Sequence, residues 1–148
     1  MLYEKGYSLV ELLVTIGVMS ILLGIGTLGF TTIRIQSQID LVAAEVRSEI
    51  LRVQSEAKNG IHSGVHFEPS RYVYFVGDTY VEGSPENEEN TFFSNVSFTS
   101  ITFTDNMVMF DPVTGYLTNF ADPSQAVISG SGATHAVSVN QWGTVAIN

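Results

Sequence analysis

The chain has 148 residues, enough for one domain of ordinary size, and it carries 15 acidic but only 6 basic side chains and no cysteine. Without cysteine, the chain has no disulfide framework, no thiolate metal ligand and no cysteine nucleophile. After Arg71 it contains eight acids and no lysine or arginine. Because proteins bind phosphate backbones through lysine and arginine, this acidic half argues against a nucleic acid partner.

An uncharged apolar run dominates the first thirty residues. Nineteen consecutive residues from Leu12 to Phe30 carry no charge. At about 1.5 Å per residue, a helix of this length matches the roughly 30 Å hydrocarbon core of a bilayer. A cleaved secretory signal is the alternative, but its apolar core is usually about 7 to 15 residues long and is followed by an A-x-A cleavage site, which is absent here. The run therefore predicts a transmembrane half-helix within residues 7–30.

A helical period continues beyond the apolar run, through residues 31–60. Apolar residues recur at spacings of three and four, which predicts an amphipathic helix with one apolar stripe. The stripe consists of Ile35, Ile39, Val42, Ala43, Val46, Ile50, Val53 and Ala57. Asn59 and Gly60 form a stop signal. We expect one helix from about Ser8 to Lys58, whose second half lies on a sheet.

Two further features of this helix follow from spacing. Arg52 lies three residues after Glu49 and four before Glu56, which predicts two weak ion pairs. The apolar half contains four glycines, at positions 17, 24, 26 and 29. They allow either close packing of neighbouring helices or a soft stretch of helix, and both interpretations stay open.

One acid, Glu11, stands at the head of the apolar run. A carboxylate at the centre of a membrane helix costs roughly 2.5 to 3.5 kcal/mol, so one that lies within such a segment is a candidate for function. Near the helix start the cost is smaller. Glu11 then either sits at headgroup depth, where it favours the positive end of the helix dipole, or has a cationic partner.

The residues "KGYSLVELL" and the uncharged run after them resemble the signature of type IV prepilins, a family of type IV pilins, minor pilins and the pseudopilins of type II secretion. The resemblance implies a leader peptide at residues 1–6, cleavage by a prepilin peptidase between Gly6 and Tyr7, and N-methylation of Tyr7. It also implies that Glu11 serves filament assembly by neutralising the N-terminal amine of a neighbouring subunit.

Three features depart from the common pattern of that family. Tyr7 stands where phenylalanine is usual, and Glu4 beside Lys5 weakens the positive charge of the leader. The apolar run also lacks the proline that many major pilins carry. This last departure favours a minor subunit over a major pilin.

Residues 61–148 change to a period of two, which predicts a β-rich head. We predict strands near residues 64–68, 71–76, 79–82, 91–104 with an interruption, 107–110, 116–120, 126–129, 136–140 and 144–147. "SPENEEN" at residues 84–90 is predicted to be an exposed acidic loop, and "NQWG" a tight hairpin. The runs "VHFEPSRYVYFVG", "MFDPVTGYLT" and "HAVSVNQWGTVAIN" resemble H-type pseudopilins and FimT-like minor pilins. The predicted fold class is α+β, a long N-terminal helix packed on an antiparallel β-sheet head, as in pilins.

Catalytic and metal-binding signals are weak in this sequence. His62 and His66 have a spacing that would suit zinc on a helix, but Gly64 and the strand pattern favour unrelated surface histidines. The acids of residues 78–89 match no EF-hand spacing, so a solvated loop is favoured over calcium. No nucleophile elbow or phosphate loop occurs. We therefore predict no catalytic residue, no cofactor and no metal site.

Aromatic side chains of the head could form a binding face, although at alternating positions they more often fill the core of a sheet. They are Tyr72, Tyr74, Tyr80, Phe92, Phe93 and Trp142. We expect the core in this case.

Together these observations predict a structural subunit, not an enzyme: a minor pilin or pseudopilin of a type IV pilus or a type II secretion pseudopilus. The expected partners are other pilin or pseudopilin subunits, the prepilin peptidase, the inner-membrane assembly platform, and membrane lipid before assembly. We expect a single-pass inner-membrane protein with its head outside the cytoplasm, and a periplasmic or extracellular filament after assembly. The alternatives are a DNA-uptake minor pilin, which would need a basic patch, and a membrane-anchored secreted enzyme.

Overall fold

The computed structural model describes residues 8–118, 120–130 and 132–148, and the side chains of residues 25–33 and 35 are left out of the description. One long helix, α1 (Leu9–Lys58), precedes all the strands. The chain divides into two compact units, Met1–Arg34 and Ile35–Asn148. The described part of the first unit is helical, and the second unit contains the rest of α1 and the β-rich head.

The C-terminus of α1 lies where the stop signal predicts it. Gly60 adopts a left-handed backbone with a φ of 79°. The Gly60 N–H donates to the carbonyl of Ala57 over 2.9 Å, and the Ile61 N–H donates to the carbonyl of Glu56 over 3.0 Å. This pair of bonds is a Schellman motif, which satisfies two carbonyls that the helix end would leave unpaired. The chain can therefore turn directly into the first strand.

The head consists of two four-stranded sheets in which all paired strands are antiparallel. The first sheet has the order β3-β2-β1-β5, and the second has the order β4-β6-β7-β8. The strands are β1 (Ser63–Glu68), β2 (Arg71–Val76), β3 (Glu88–Thr91), β4 (Ser97–Ile101), β5 (Met107–Met109), β6 (Gln125–Gly130), β7 (Ala133–Val139) and β8 (Val145–Ile147). A helix followed by antiparallel sheets confirms the predicted α+β class.

The apolar stripe of α1 forms one core with both sheets. Every described residue of the predicted stripe is at most 2% exposed, from Ile39 at one end to Ala57 at the other. Val65 and Tyr74 of the first sheet belong to the same core, as does Ile128 of the second. Burying one such aliphatic side chain contributes about 1.5 to 3 kcal/mol, so this stripe is the main attachment of the helix to the head.

Several predicted strands differ from the structure. Residues 79–82 form a loop, and Tyr80 in that loop stacks on His66 of β1 with ring centroids 4.1 Å apart. In the region of residues 116–120, the described residues show only one isolated bridge, between Phe110 and Leu117. Within the interrupted strand predicted at residues 91–104, the strand residues are Thr91, which ends β3, and those of β4.

The predicted acidic loop at residues 84–90 was also wrong in part, because its last three residues belong to β3. Tyr74 of β2 pairs in register with Glu88 of β3. The acids of β3 are compatible with a strand because each has a base within reach: Glu88 contacts Arg52, and Glu89 contacts Arg71. The hairpin predicted before β8 is confirmed, since the Asn140 N–H donates to the carbonyl of Thr144 over 3.1 Å.

The buried stripe leads to a stability prediction. Replacing Ile50 by alanine removes a fully buried side chain and should lower the free energy of unfolding by about 2 to 5 kcal/mol. Replacing Leu41, which is 57% exposed on the same helix, should cost less than about 1 kcal/mol. Urea denaturation of the detergent-solubilised chain, followed by Trp142 fluorescence, compares the two. Equal losses would contradict the assignment of the core.

Candidate functional site: the start of the helix and the head surface

The predicted processing residues Gly6 and Tyr7 lie outside the described residues. Glu11 is described, and it lies in the first turn of α1 with an exposed side chain. The beginning of the described chain therefore contains one of the three residues that the sequence singled out.

Glu11 takes part in a reciprocal hydrogen-bonded cap with Ser8. The Glu11 N–H donates to Ser8 Oγ over 3.2 Å, and the Ser8 N–H donates to Glu11 Oε2 over 3.4 Å. This is the capping box S-x-x-E, in which two side chains satisfy two of the free N–H groups at a helix start. Sequence reasoning overlooked this role, although the Ser8-x-x-Glu11 spacing contains its signal. The cap occupies one carboxylate oxygen and leaves Oε1 without a partner among the described residues.

Apolar side chains dominate the surface of α1 around Glu11. Eleven large apolar side chains between Leu9 and Leu23 are each more than half exposed, and they surround the helix. They are Leu9, Val10, Leu12, Leu13, Val14, Ile16, Val18, Met19, Ile21, Leu22 and Leu23. A continuous apolar surface of this kind marks a region that another molecule covers. Glu11 is the single acid in this surface.

A second charged centre, in the Ile35–Asn148 unit, joins α1 to the first sheet. The Arg52 guanidinium contacts Glu49 and Glu56 at 3.1 Å, and Glu88 of β3 at 3.0 and 3.3 Å. It also lies 4.0 Å from the ring centroid of Tyr74. The two predicted pairs on α1 are thus confirmed. The bidentate contact with Glu88 was not predicted, because it joins residues 36 positions apart in the chain.

Glu56 is held ionised by the groups around it. Burial favours its neutral form, but hydrogen bonds from Ser63, Tyr74 and Arg52 outweigh this and lower its pKa. The hydrogen bond from Arg52 likewise lowers the pKa of Glu88. In Glu49 burial prevails over Arg52 and raises the pKa. Each of these charged groups contacts another group of the same unit, so their role is structural.

The three histidines each have different surroundings. His62 Nδ1 pairs with Asp78, and His135 Nε2 lies 2.7 Å from Asp40 Oδ1. His66 stacks on Tyr80, and its buried Nδ1 has no hydrogen-bond partner among the described residues. Burial lowers the pKa of His66, which favours its neutral form. Across the described residues, no group of three or more His, Cys, Asp or Glu side chains is placed to hold a metal ion.

The aromatic residues of the head divide between core and surface. Tyr72 and Tyr74 are buried, as expected for a sheet core, and Tyr72 donates a hydrogen bond to Glu45 over 2.8 Å. Phe93 and Trp142 are 47% and 62% exposed, so the expectation of a core position was wrong for them. The ring of Trp142 contacts that of Tyr116 edge to face, with centroids 5.1 Å apart.

A cavity of about 400 Å³ opens on the head. Met107 and Met109 line it, and they alternate along β5 with Val108, which lies in the main core. Phe110, which follows β5, also lines the cavity, so the cavity lies beside β5 at the edge of the first sheet. His62 and Asp78 also line it.

In the described parts of the chain, no helix is sufficiently long and apolar to cross a membrane.

Comparison with known proteins identifies the N-terminal segment. Residues 1–27 match the family described as the prokaryotic N-terminal methylation motif. No curated protein and no solved structure matches the chain. The motif belongs to membrane-anchored precursors that assemble into extracellular filaments, and it implies processing by a prepilin peptidase and assembly with other pilin subunits. The match covers the segment that contains Gly6, Tyr7 and Glu11 and ends before the head. This motif marks the chain as a type IV prepilin-like protein.

Proposed function

We propose that the chain is a minor pilin or pseudopilin, assembled through the N-terminal half of α1 into a type IV pilus or a type II secretion pseudopilus. The observation that carries this proposal is the position of Glu11, a lone acid in the exposed apolar surface of α1 and inside the methylation motif. A structural subunit needs a surface that other chains cover and one specific contact that sets its register. The apolar side chains supply the surface, and Glu11 supplies the contact.

Processing creates the partner of Glu11. Cleavage between Gly6 and Tyr7 removes the leader at residues 1–6 and leaves a free amine on Tyr7, which is then methylated. A methylated amine remains a cation that can donate hydrogen bonds. In a filament, the amine of one subunit then meets the Glu11 carboxylate of its neighbour.

The electrostatics favour such a pair over either charge alone. An unpaired charge among apolar side chains is strongly disfavoured, and removal of one partner from a buried pair costs about 3 to 5 kcal/mol. The capping box engages Glu11 Oε2, so Oε1 is available to a second donor. One carboxylate can therefore cap the N-terminus of its own helix and also bind the amine of a neighbouring subunit.

Before assembly, lipid covers the same apolar surface. We propose a single-pass inner-membrane protein whose uncharged run of residues 12–30 lies in the bilayer, with the head outside the cytoplasm. The inner-membrane assembly platform then extracts the subunit into the filament. Since the apolar run lacks proline, a minor subunit is favoured over a major pilin.

The DNA-uptake alternative conflicts with the charge of the head. Arg71 is the one base in residues 61–148, and it contacts Glu68 at 2.8 Å and Glu89 at 2.6 Å. A base neutralised by two acids does not supply the basic patch that a phosphate backbone needs.

The mass of the mature N-terminus tests the processing step. The chain isolated from its native membrane should begin at Tyr7 and carry one additional methyl group, and replacement of Gly6 by a bulky residue should leave the unprocessed precursor. Intact-mass spectrometry measures both. A mature chain that begins beyond Phe30 would instead make the apolar run a discarded export signal and overturn the proposal.

Neutral and charged variants of Glu11 separate its two roles. Glu11→Gln keeps a capping residue at the position that the capping box requires but removes the charge. It should leave the helix content unchanged while lowering incorporation into filaments about 100-fold, as expected for loss of about 3 kcal/mol. Glu11→Asp retains the charge and should incorporate better than Glu11→Gln. Quantitative immunoblotting of sheared filaments measures incorporation, and circular dichroism measures helix content.

A matched control removes an acid elsewhere. Glu86 is exposed on the head, so Glu86→Gln should incorporate like the unmodified chain. If Glu11→Gln incorporates equally well, Glu11 serves only the cap and the assembly role is refuted.

A further inference from the structure

Part of the connection between β2 and β3 forms a strap over the first sheet. The strap comprises residues 78–82, and Gly77 and Gly83 flank it. Both glycines have positive φ values, of 123° and 73°, which glycine adopts more readily than any other residue. Among the described residues, no backbone hydrogen bond joins the strap to a strand. Side chains therefore hold the strap on the sheet.

Two histidines contact the strap. His62, just before β1, pairs with Asp78 at one end of it. His66, in β1, stacks on Tyr80 in its middle, with ring planes 9° apart and ring centroids 4.1 Å apart. His66 follows Val65, a residue of the main core, so its side chain lies on the face of the sheet that points away from that core.

The ring of Tyr80 also covers Phe75 of β2. The two ring centroids are 5.7 Å apart, and Phe75 is only 1% exposed although it lies outside the main core. The pair of His62 and Asp78 is more than half exposed on both sides, so it contributes little to stability. The Tyr80 ring is therefore the main contact between the strap and the sheet, and its release would expose Phe75.

The closed strap favours a neutral His66 over a charged one. Nδ1 of His66 is buried and has no hydrogen-bond partner among the described residues. A protonated imidazole carries an N–H on both nitrogens, so protonation would leave a buried donor without an acceptor. Movement of Tyr80 away from the ring removes this cost, because water can then solvate Nδ1.

The charged groups around His66 do not reverse this preference. Glu68 of the same strand and Glu82 of the strap favour the protonated form, whereas Arg71 of β2 opposes it. The residues that pair with His66 on β2 and β5 are uncharged. Burial outweighs the two acids, so the pKa of His66 is lowered.

We propose that the strap is an acid-sensitive cover: it opens at Tyr80 when His66 takes up a proton, and it thereby exposes Phe75. Above the ordinary histidine pKa of about 6.5, His66 is neutral in both forms and the strap stays closed. Below it, the open form binds a proton that the closed form excludes, so the ratio of open to closed form rises as the pH falls. This rise is at most about tenfold per pH unit, and it ends at the pKa of the closed form. The inference does not depend on the proposed function.

The pKa of His66 measures this coupling, because linkage is reciprocal: any lowering of the pKa by the closed strap is matched by a shift towards the open strap on protonation. NMR titration of the full chain in detergent micelles should give His66 a pKa below about 6.5. Tyr80→Leu removes the stacked ring and should raise the proton affinity of His66 about threefold or more. Tyr80→Phe keeps the ring and should keep the lowered pKa.

A matched variant and an internal reference control this titration. Tyr116→Leu removes a partly exposed tyrosine elsewhere on the head and should leave the titration of His66 unchanged. His135 lies in the second sheet, so its titration should be the same in all of these variants.

The contact between the Tyr80 and Phe75 rings reports on opening itself. In the unmodified chain, the nuclear Overhauser effect between these rings should weaken as His66 is protonated. An unchanged His66 pKa in Tyr80→Leu would show that the strap and the proton are not coupled. A ring contact that persists when His66 is fully protonated would show that the strap stays closed. Either result overturns the proposal, and neither bears on N-terminal cleavage or on incorporation through Glu11.

Discussion

The apolar residues of α1 fall into two groups that differ in what covers them. From Ile39 to Ala57 they form one stripe, and the two sheets of the head bury it almost completely. From Leu9 to Leu23 they surround the helix and are exposed. Because burial of apolar surface is the main favourable term in folding and association, the first group stabilises the head and the second requires other molecules. A subunit that inserts first into lipid and then into a filament needs both surfaces, one that the head buries and one that other molecules cover.

Glu11 is the exception on the second surface, and its geometry limits what it can do. Its cap with Ser8 accounts for a carboxylate at the helix start in water, where such a cap stabilises the first turn. The cap does not account for a carboxylate that enters an apolar environment, because desolvation of the charge costs more than one long hydrogen bond returns. An amine from another chain offsets that cost. The same residue then acts within its own chain before assembly and between chains afterwards.

The helix and the class of fold could be predicted from the sequence because their signals are local. Spacings of three and four marked the buried stripe, and Asn59-Gly60 marked the helix end, which the left-handed Gly60 explains. Contacts between distant residues could not be predicted in this way. Glu88 was assigned to a solvated loop because its partner Arg52 lies on the helix, 36 residues earlier.

The loop around Tyr80 shows the same limit. An alternating pattern predicted a strand there, but Tyr80 packs its ring on His66 and tilts against Phe75, which covers the outer face of β1 and β2.

At the candidate site, Glu11 stood out because it breaks an uncharged run. Its cap with Ser8 is also local, because it depends on the Ser8-x-x-Glu11 spacing. The cavity was not predictable, since it forms where residues 61–63, 78–79 and 105–118 meet.

A chemical cross-link tests most directly whether Glu11 binds the amine of another chain. Dicyclohexylcarbodiimide, an apolar reagent, joins a carboxylate to an amine only where the two are in contact, so it should act inside an assembled filament. After proteolysis, mass spectrometry should find a branched product in which the Glu11 side chain of one peptide carries the N-terminal Tyr7, or the N-terminus of a partner subunit, of a second peptide. A cyclic product formed within one peptide, or a modified Glu11 without any cross-link, would contradict the account.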